Sequence, residues 1–529
     1  MIYALKLLFA VLLVSGVAMT VYRNAFAGLV SQQQYRRAWM LVIACMVASY
    51  LCKFPALFFL VLGGLGLYGS ALMGATPVAA LCAYLLLSIV CPPISLDIGG
   101  VGGINSILRL DGFRLLAIVV LLVPALRLLS AKKSPTHGGL VAMDVAVLLY
   151  PALRILMALP YSTATTTARS IVETFLDVWL PYYVATRAIR SAADLRLVVV
   201  HVAIALLFGA SVGVTEELIQ HNLFTGLEGV YGIAWQLSYV LMRGSFIRVQ
   251  AMTQQPIILA FAMLFGLGMW VWLRGLEWRK PRFFVPFAAL LAALIFTWSR
   301  GPWLGAILLF GMFALLRRLS GSSVRILLIL GVIAAVILKA VGADEAIAGG
   351  LAALFGGSES DVSTIEYRRE LLDTSLALIK QSPWLGVPNY AAQMQSLKQG
   401  QGIIDLVNAY LAVMLNAGVV GLACFMTPFL IVIHRLLGAV RRDERKTVVG
   451  GSRFAIAMIA INVAFLFAIF TSSVFGLLSL LLLLMVALPA AWLAMPKEER
   501  ESAFVPVVEE VGGGMPGGRH GMPVQTFLR

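Results

Sequence analysis

RFAIAMIAINVAFLFAIFTSSVFGLLSLLLLLMVALPAAWLAM, residues 453–495, carries one charged residue, Arg453. A bilayer crossing takes about 20 mostly apolar residues, so this stretch reads as two spans, 453–472 and 474–495. Working outward, comparable runs occur at 2–21, 38–52, 54–73, 76–92, 114–130, 140–160, 171–187 and 195–213, then at 255–274, 283–298, 301–317, 324–341 and 417–437. The first carries Lys6 near its start, as a signal sequence would. It has no small-residue cleavage site and is read as the first span. Of 529 residues, 60% are apolar and 12% charged; a soluble domain has roughly 25% charged residues. The expected fold is an all-α polytopic integral membrane protein of about 14–15 transmembrane helices, and soluble folds are excluded.

Lys and Arg number 40 against 25 Asp and Glu, a net of +15. In a membrane protein such an excess collects in cytoplasmic loops, so it does not point to nucleic acid. Basic clusters fall at Arg36–Arg37, Arg127–Lys133, Arg187–Arg196, Arg274–Arg282, Arg317–Arg325 and Arg435–Lys446. Placing them all inside leaves two long segments outside. The expected division is 1–213 N-terminal transmembrane helices, 214–254 outer loop, 255–341 central transmembrane helices, and 342–416 large outer loop with amphipathic helices and the candidate motifs. Residues 417–495 then form the C-terminal transmembrane helices, and 496–529 a Gly- and Pro-rich tail that reads as disordered and cytoplasmic. Cys45, Cys52, Cys82, Cys91 and Cys424 lie in or beside apolar runs without CxxC spacing, which suggests neither a metal site nor disulfides.

Arg243, Arg248, Arg300, Arg368 and Arg369 lie on the outer side, where the charge bias would not put them. Guanidinium is a planar fork that holds phosphate oxygens bidentately and stays charged. Several together suit a lipid diphosphate, with contact to ordinary lipid headgroups as the alternative. Arg300 is the sharpest, because TWSRGPWLGA (297–306) leaves almost no loop between two apolar runs, with Trp298 and Trp303 as interfacial anchors. TIEYRRELLDTSLALIK (364–380) reads as an amphipathic helix. Its expected apolar stripe is Ile365, Leu372, Leu376 and Ile379, with Arg368 and Arg369 on its shoulders and Glu366, Glu370 and Asp373 on the polar side. Pro383 and Gly386 stop it.

Within the membrane, Glu173 and Asp177 are expected to pair with Arg154 or to relay protons. His221 reads as a solvated loop histidine or a general base. There is no P-loop or G-x-S-x-G elbow, and GGVGGI (99–104) does not sit in a strand-turn-helix unit. Nucleotide-driven transport and sugar-nucleotide chemistry are both disfavoured.

SRGPWLGAILL (299–309), YRRELLDTSLALIKQSPWLGVPN (367–389) and VNAYLAVMLNAGVVGL (407–422) resemble the O-antigen ligase and Wzy-type polysaccharide polymerase superfamily, as does RVQAMTQQPIILAF (248–261). The resemblance covers about the second half of the chain. It implies a metal-independent, inverting GT-C-like glycosyltransferase without a cofactor, in the bacterial inner membrane with its active site facing the periplasm. Its donors would be undecaprenyl-diphosphate-linked oligosaccharides. By the same resemblance Arg300 and Arg368, with Arg248, hold the donor diphosphate and are the catalytic candidates; Glu366, an outer-side acid within reach of an acceptor hydroxyl, is added as an accessory. Arg243, Arg248, Arg369, Asn408 and Tyr410 bind substrate. Val407 and Asn416 stand where ligases typically have His and often Glu. The reading that follows is an exopolysaccharide or O-antigen polymerase, whose acceptor is another lipid-linked repeat unit. The general base is open among Glu366, Glu216, Glu217, Asp405 and His221. Partners implied are the lipid-linked donor, the glycan acceptor, membrane lipids, and flippase and chain-length or export proteins. The alternatives are a ligase acting on lipid A core or protein, and a flippase or transporter for lipid-linked sugars.

Overall fold

The computed structural model describes residues 2–99, 106–130, 138–231, 240–243, 245–253, 255–275, 280–316, 359–398, 404, 406–444 and 452–502. The expected span 324–341, most of the Gly-rich 99–104 stretch, Asp405, His137, His520 and most of the tail lie outside the described residues, as do the basic residues Lys132, Lys133, Arg279, Arg317, Arg318, Arg325, Arg445 and Lys446.

The fold is an all-α polytopic membrane protein. The first helices are α1 (Ile2–Val21), α2 (Gln32–Leu51), α3 (Pro55–Leu72) and α4 (Pro77–Val90). A two-stranded antiparallel hairpin follows, β1 (Ser95–Gly99) and β2 (Ser106–Asp111). It leads into α5 (Gly112–Ser130) and α6 (Gly138–Ala158). Next come α7 (Ala164–Thr174), a π turn at Phe175–Trp179, α8 (Leu180–Ala188) and α9 (Ala192–Ile219). A second small hairpin, β3 (Met242–Arg243) with β4 (Phe246–Ile247), precedes α10 (Pro256–Arg274), α11 (Pro281–Phe296) and α12 (Arg300–Leu316). Then follow α13 (Glu359–Gln381), α14 (Ala409–Glu444), α15 (Ser452–Ala468) and α16 (Leu477–Ala494). Among the described residues, nine helices are long and apolar enough to cross a membrane, and α4, α11 and α12 are shorter apolar helices.

Local chemistry starts these helices where the sequence supplies it. Ser31 with Gln34, and Ser191 with Asp194, form reciprocal capping boxes at α2 and α9. Thr76 caps α4, and proline occupies the first turn of α3, α4, α10 and α11, where a missing N–H costs nothing. The centre of the bundle is α10, with 94% of its apolar window buried; α6 is peripheral at 22%. A helix that apolar yet that exposed faces lipid.

Several contacts gather one set of helix ends. Tyr3 on α1 bonds His221 beyond the end of α9 at 2.6 Å. Val249 N–H donates to the Phe296 carbonyl at 3.2 Å. The Ser473 hydroxyl donates to the Leu406 carbonyl at 2.7 Å. These contacts tie the described parts of 214–254 and 342–416 to helix ends of the bundle.

The intramembrane acids have a different partner from the one expected. Arg114, at the start of α5, reaches Glu173 and Asp177, each at 2.8 Å, so Arg154 is not their counter-ion. The sequence-based pairing failed because the β1–β2 hairpin, invisible in a hydropathy pattern, brings α5 beside the α7–α8 break. Arg114→Met strands two carboxylates that are partly shielded from water. A loss of about 1–3 kcal/mol is expected, measurable as a lowered midpoint of thermal unfolding in detergent.

Candidate active site

The turn between α11 and α12 is held open in a strained shape. Trp298 has φ +51°, a left-handed backbone that L-residues avoid, and it persists because its surroundings fix it. The Arg243 guanidinium donates to the Trp298 carbonyl at 2.9 Å. Arg248 donates through Nε to the Thr297 carbonyl and through Nη2 to the Ser299 hydroxyl, both at 3.1 Å. Phe246 stacks on Trp298 with ring centroids 5.2 Å apart. The Trp303 indole donates to the Leu294 carbonyl at 3.0 Å. Arg300, the first residue of α12, stands exposed on this clamped turn.

Glu216 belongs to the same scaffold and not to the chemistry. It is fully buried, and its oxygens accept the backbone N–H groups of Leu223 at 3.0 Å, Gln250 at 3.1 Å and Ala251 at 2.9 Å. As a candidate base it is withdrawn, since both oxygens are committed and out of reach of an acceptor. It fixes the segment that delivers Arg243 and Arg248. His221 is engaged by the Tyr3 hydroxyl, and Glu217 is partly buried on the last turn of α9.

Below the turn, α12 lies hard against α15. A Cβ on Gly301 would meet the Thr471 hydroxyl at 1.9 Å, and one on Gly305 would meet the Ala464 carbonyl oxygen at 3.3 Å. The small-xxx-small spacing in RGPWLG lets two helices approach closely in lipid, which sets the height at which Arg300 emerges.

The other motifs interlock. α14 is broken at Ala417–Gly418, and the Pro383–Gly386 loop fits into the break. Val419 N–H donates to the Pro383 carbonyl at 2.9 Å, Val420 N–H to Trp384 at 3.2 Å, and Val387 N–H to Leu415 at 2.7 Å. The backbone groups that the break frees are thus paired, as they must be within a membrane. Asn408 begins α14, its side-chain oxygen accepting the N–H groups of Tyr410 at 3.0 Å and Leu411 at 3.2 Å. The Tyr410 hydroxyl bonds the Leu466 carbonyl on α15. In this way α13, α14, α15 and α12 form one continuous chain of contacts.

On α13 the packed stripe differs from the expected one. Leu371, Ser375, Leu378 and Ile379 are buried against Met394, Leu397, Leu406, Leu411 and Leu415, while Leu372 and Leu376 are 43% and 41% exposed. Both stripes have helical spacing. Packing against that apolar cluster selects between them, and the Tyr367 hydroxyl on the same side donates to the Leu397 carbonyl at 3.1 Å. Arg369 points away from the packed face and is exposed. The side chains of Arg368, Glu366 and Ile365 lie outside the described residues. Of the proposed binding groups, Arg243, Arg248 and Arg300 therefore share one turn, and Arg369, Asn408 and Tyr410 connect to it through α14 and α15. Among the described residues no group of three His, Cys, Asp or Glu is placed to hold a metal ion.

Residues 285–426 match the family model of the O-antigen ligases. This segment is a domain of the O-antigen ligase and Wzy polymerase superfamily. It runs from α11 through the clamped turn and the α13–α14 lock, and so contains Arg300, Arg368, Arg369, Asn408 and Tyr410. Arg243 and Arg248 come from outside the O-antigen ligase domain and dock onto its turn. No curated protein matches the chain. The match over this segment supports a ligase- or polymerase-type protein with lipid-linked glycans as substrates. Two structural residues were missed in the sequence, Arg114 and Gly418, and Gly386 was read only as a helix stop and not as the partner of the α14 break. The glycines stood in WLGVP and NAGVV, and two glycines beside prolines or a polar helix residue in an amphipathic-to-span transition were the available signal.

Proposed function

We propose that the chain is a polysaccharide polymerase of the inner membrane. It transfers an undecaprenyl-diphosphate-linked glycan onto the terminal sugar of another lipid-linked repeat unit at the periplasmic face, without a metal and with inversion. The acceptor hydroxyl attacks the anomeric carbon from the side opposite the diphosphate. The new C–O bond forms as the old one breaks, the electron pair leaves with the diphosphate, and the hydroxyl proton passes to a base or to the departing phosphate.

The observation that carries this reading is Arg300, exposed on a turn whose backbone carbonyls are clamped by two further arginines. A fixed guanidinium at a departing diphosphate stabilises the charge that develops in the transition state. Arg368 is the second catalytic arginine in this proposal, with Glu366 as an accessory; Arg369, Asn408 and Tyr410 line the substrate path. Arg243 and Arg248 contribute by shaping the turn as well as by adding positive potential. Val407, standing where ligases typically have His, favours the polymerase over the ligase.

Cells lacking the protein are expected to accumulate single lipid-linked repeat units. Loss of a ligase would instead leave long polymer on undecaprenyl diphosphate, and that outcome would refute the polymerase reading. Arg248→Met removes two donors from the turn and is expected to lower polymer yield per protein about tenfold, read by gel from membranes with matched protein content.

A further inference from the structure

The polymerase reading requires two lipid diphosphates at once, because both donor and acceptor hang from one, and the clamped turn accounts for one of them. Arg154 stands near the end of α6, the helix least buried in the bundle. Arg114 takes the acids that were its expected partners, and no described carboxylate pairs with Arg154. An exposed cation without an acid within an apolar span is costly in hydrocarbon and marks a function.

Its surroundings place it beside the break in α14. Tyr150, one turn earlier on the same face of α6, approaches Gly421, whose Cβ would lie 3.8 Å from the ring. Tyr390 packs beside the same loop against the α13–α14 core, and both tyrosine hydroxyls are within electrostatic reach of Arg154. The N–H donors at the break itself are taken by Pro383 and Trp384, so the positive charge on offer there is the guanidinium. Around it the surface is apolar and open: Trp384 is 68% exposed, Leu385 47%, Val419 41% and Val420 38%. A phosphate on a long apolar chain meets both requirements, the head at Arg154 and the chain along these side chains.

We infer that Arg154, with Tyr390, holds the diphosphate of the acceptor lipid on the lipid-facing side of the α14 break, separate from the donor diphosphate at Arg300. This rests on the polymerase reading. A ligase, whose acceptor carries no polyprenyl chain, has no use for the second site.

The test uses the full chain in phosphatidylcholine nanodiscs, titrated with undecaprenyl diphosphate and read by native mass spectrometry. Wild type is expected to bind two molecules. Arg154→Leu and Arg154→Gln should weaken the second by about tenfold or more, and thermal unfolding should be unchanged because the residue faces lipid. Arg300→Ala should weaken the other. Two molecules held equally well by the Arg154 variants would overturn the inference. So would an equal loss of added phosphatidylglycerol, which would make Arg154 an anchor for any phosphate headgroup. One molecule or none on wild type would overturn the polymerase reading itself, which keeps the two failures apart.

Discussion

Replacing Arg300 by alanine is expected to cut polymer formation about 10²–10³-fold, the usual effect of removing one preorganised donor from a developing anion, with the protein level and its unfolding midpoint unchanged. The stability half of this expectation follows from the geometry. Arg300 is exposed, and the turn beneath it is held by Arg243, Arg248 and the Phe246–Trp298 stack, none of which depends on its side chain. Arg300→Lys keeps a charge but loses the planar fork, and intermediate activity is expected. Radiolabelled repeat units chased into polymer in membranes of matched protein content would measure both variants. Activity of Arg300→Ala equal to wild type would remove the turn from the chemistry.

Gly418→Ala should have the largest effect on stability. Gly418 sits at φ +63°, and a Cβ there would meet the backbone carbon and oxygen of Trp384, each at 2.3 Å. Backbone cannot rotate aside as a side chain can, so the Pro383–Gly386 loop has to leave the break. The overpacking and the left-handed strain together cost about 2–4 kcal/mol, a large share of a total stability of about 5–15 kcal/mol. Withdrawal of the loop also strands the Val419 and Val420 N–H groups in an apolar setting. Thermal unfolding in detergent and protease cleavage near 383–398 would report it. An unshifted midpoint would mean that the loop does not depend on this contact.

The spans were legible because an uncharged apolar run of bilayer length is too long and too greasy for most soluble cores, and 453–495 alone was sufficient for the class. The arginines stood out one by one, since Arg243, Arg248 and Arg300 fall in loops whose expected outer side disfavours them. What hydropathy could not convey was which partner each charge would take. Glu173 and Asp177 were visible as a pair, but Arg114 reaches them through a hairpin of strands that interrupts the helical pattern. The register of α13 was ambiguous for a similar reason. Leu372 and Leu376 share a helical face as good as that of Leu371 and Leu378, and only packing against Met394, Leu397, Leu406, Leu411 and Leu415, residues distant in sequence, separates the two. Glu216 looked like an acid free in an outer loop until the fold turned three backbone N–H groups onto it. The O-antigen ligase motifs, by contrast, could be recognised before their contacts were known. Their glycines and prolines encode close approach: Gly301 and Gly305 to α15, Gly386 and Gly418 to each other.

The most direct test of a polymerase built around Arg300 is reconstitution of the purified chain in proteoliposomes, offered undecaprenyl-diphosphate repeat units of the native sugar with a chelator present and no other acceptor. A ladder of products on a gel is expected for wild type and none for Arg300→Ala. A ladder of equal length from Arg300→Ala, or no ladder from wild type until lipid A core is added, would contradict it.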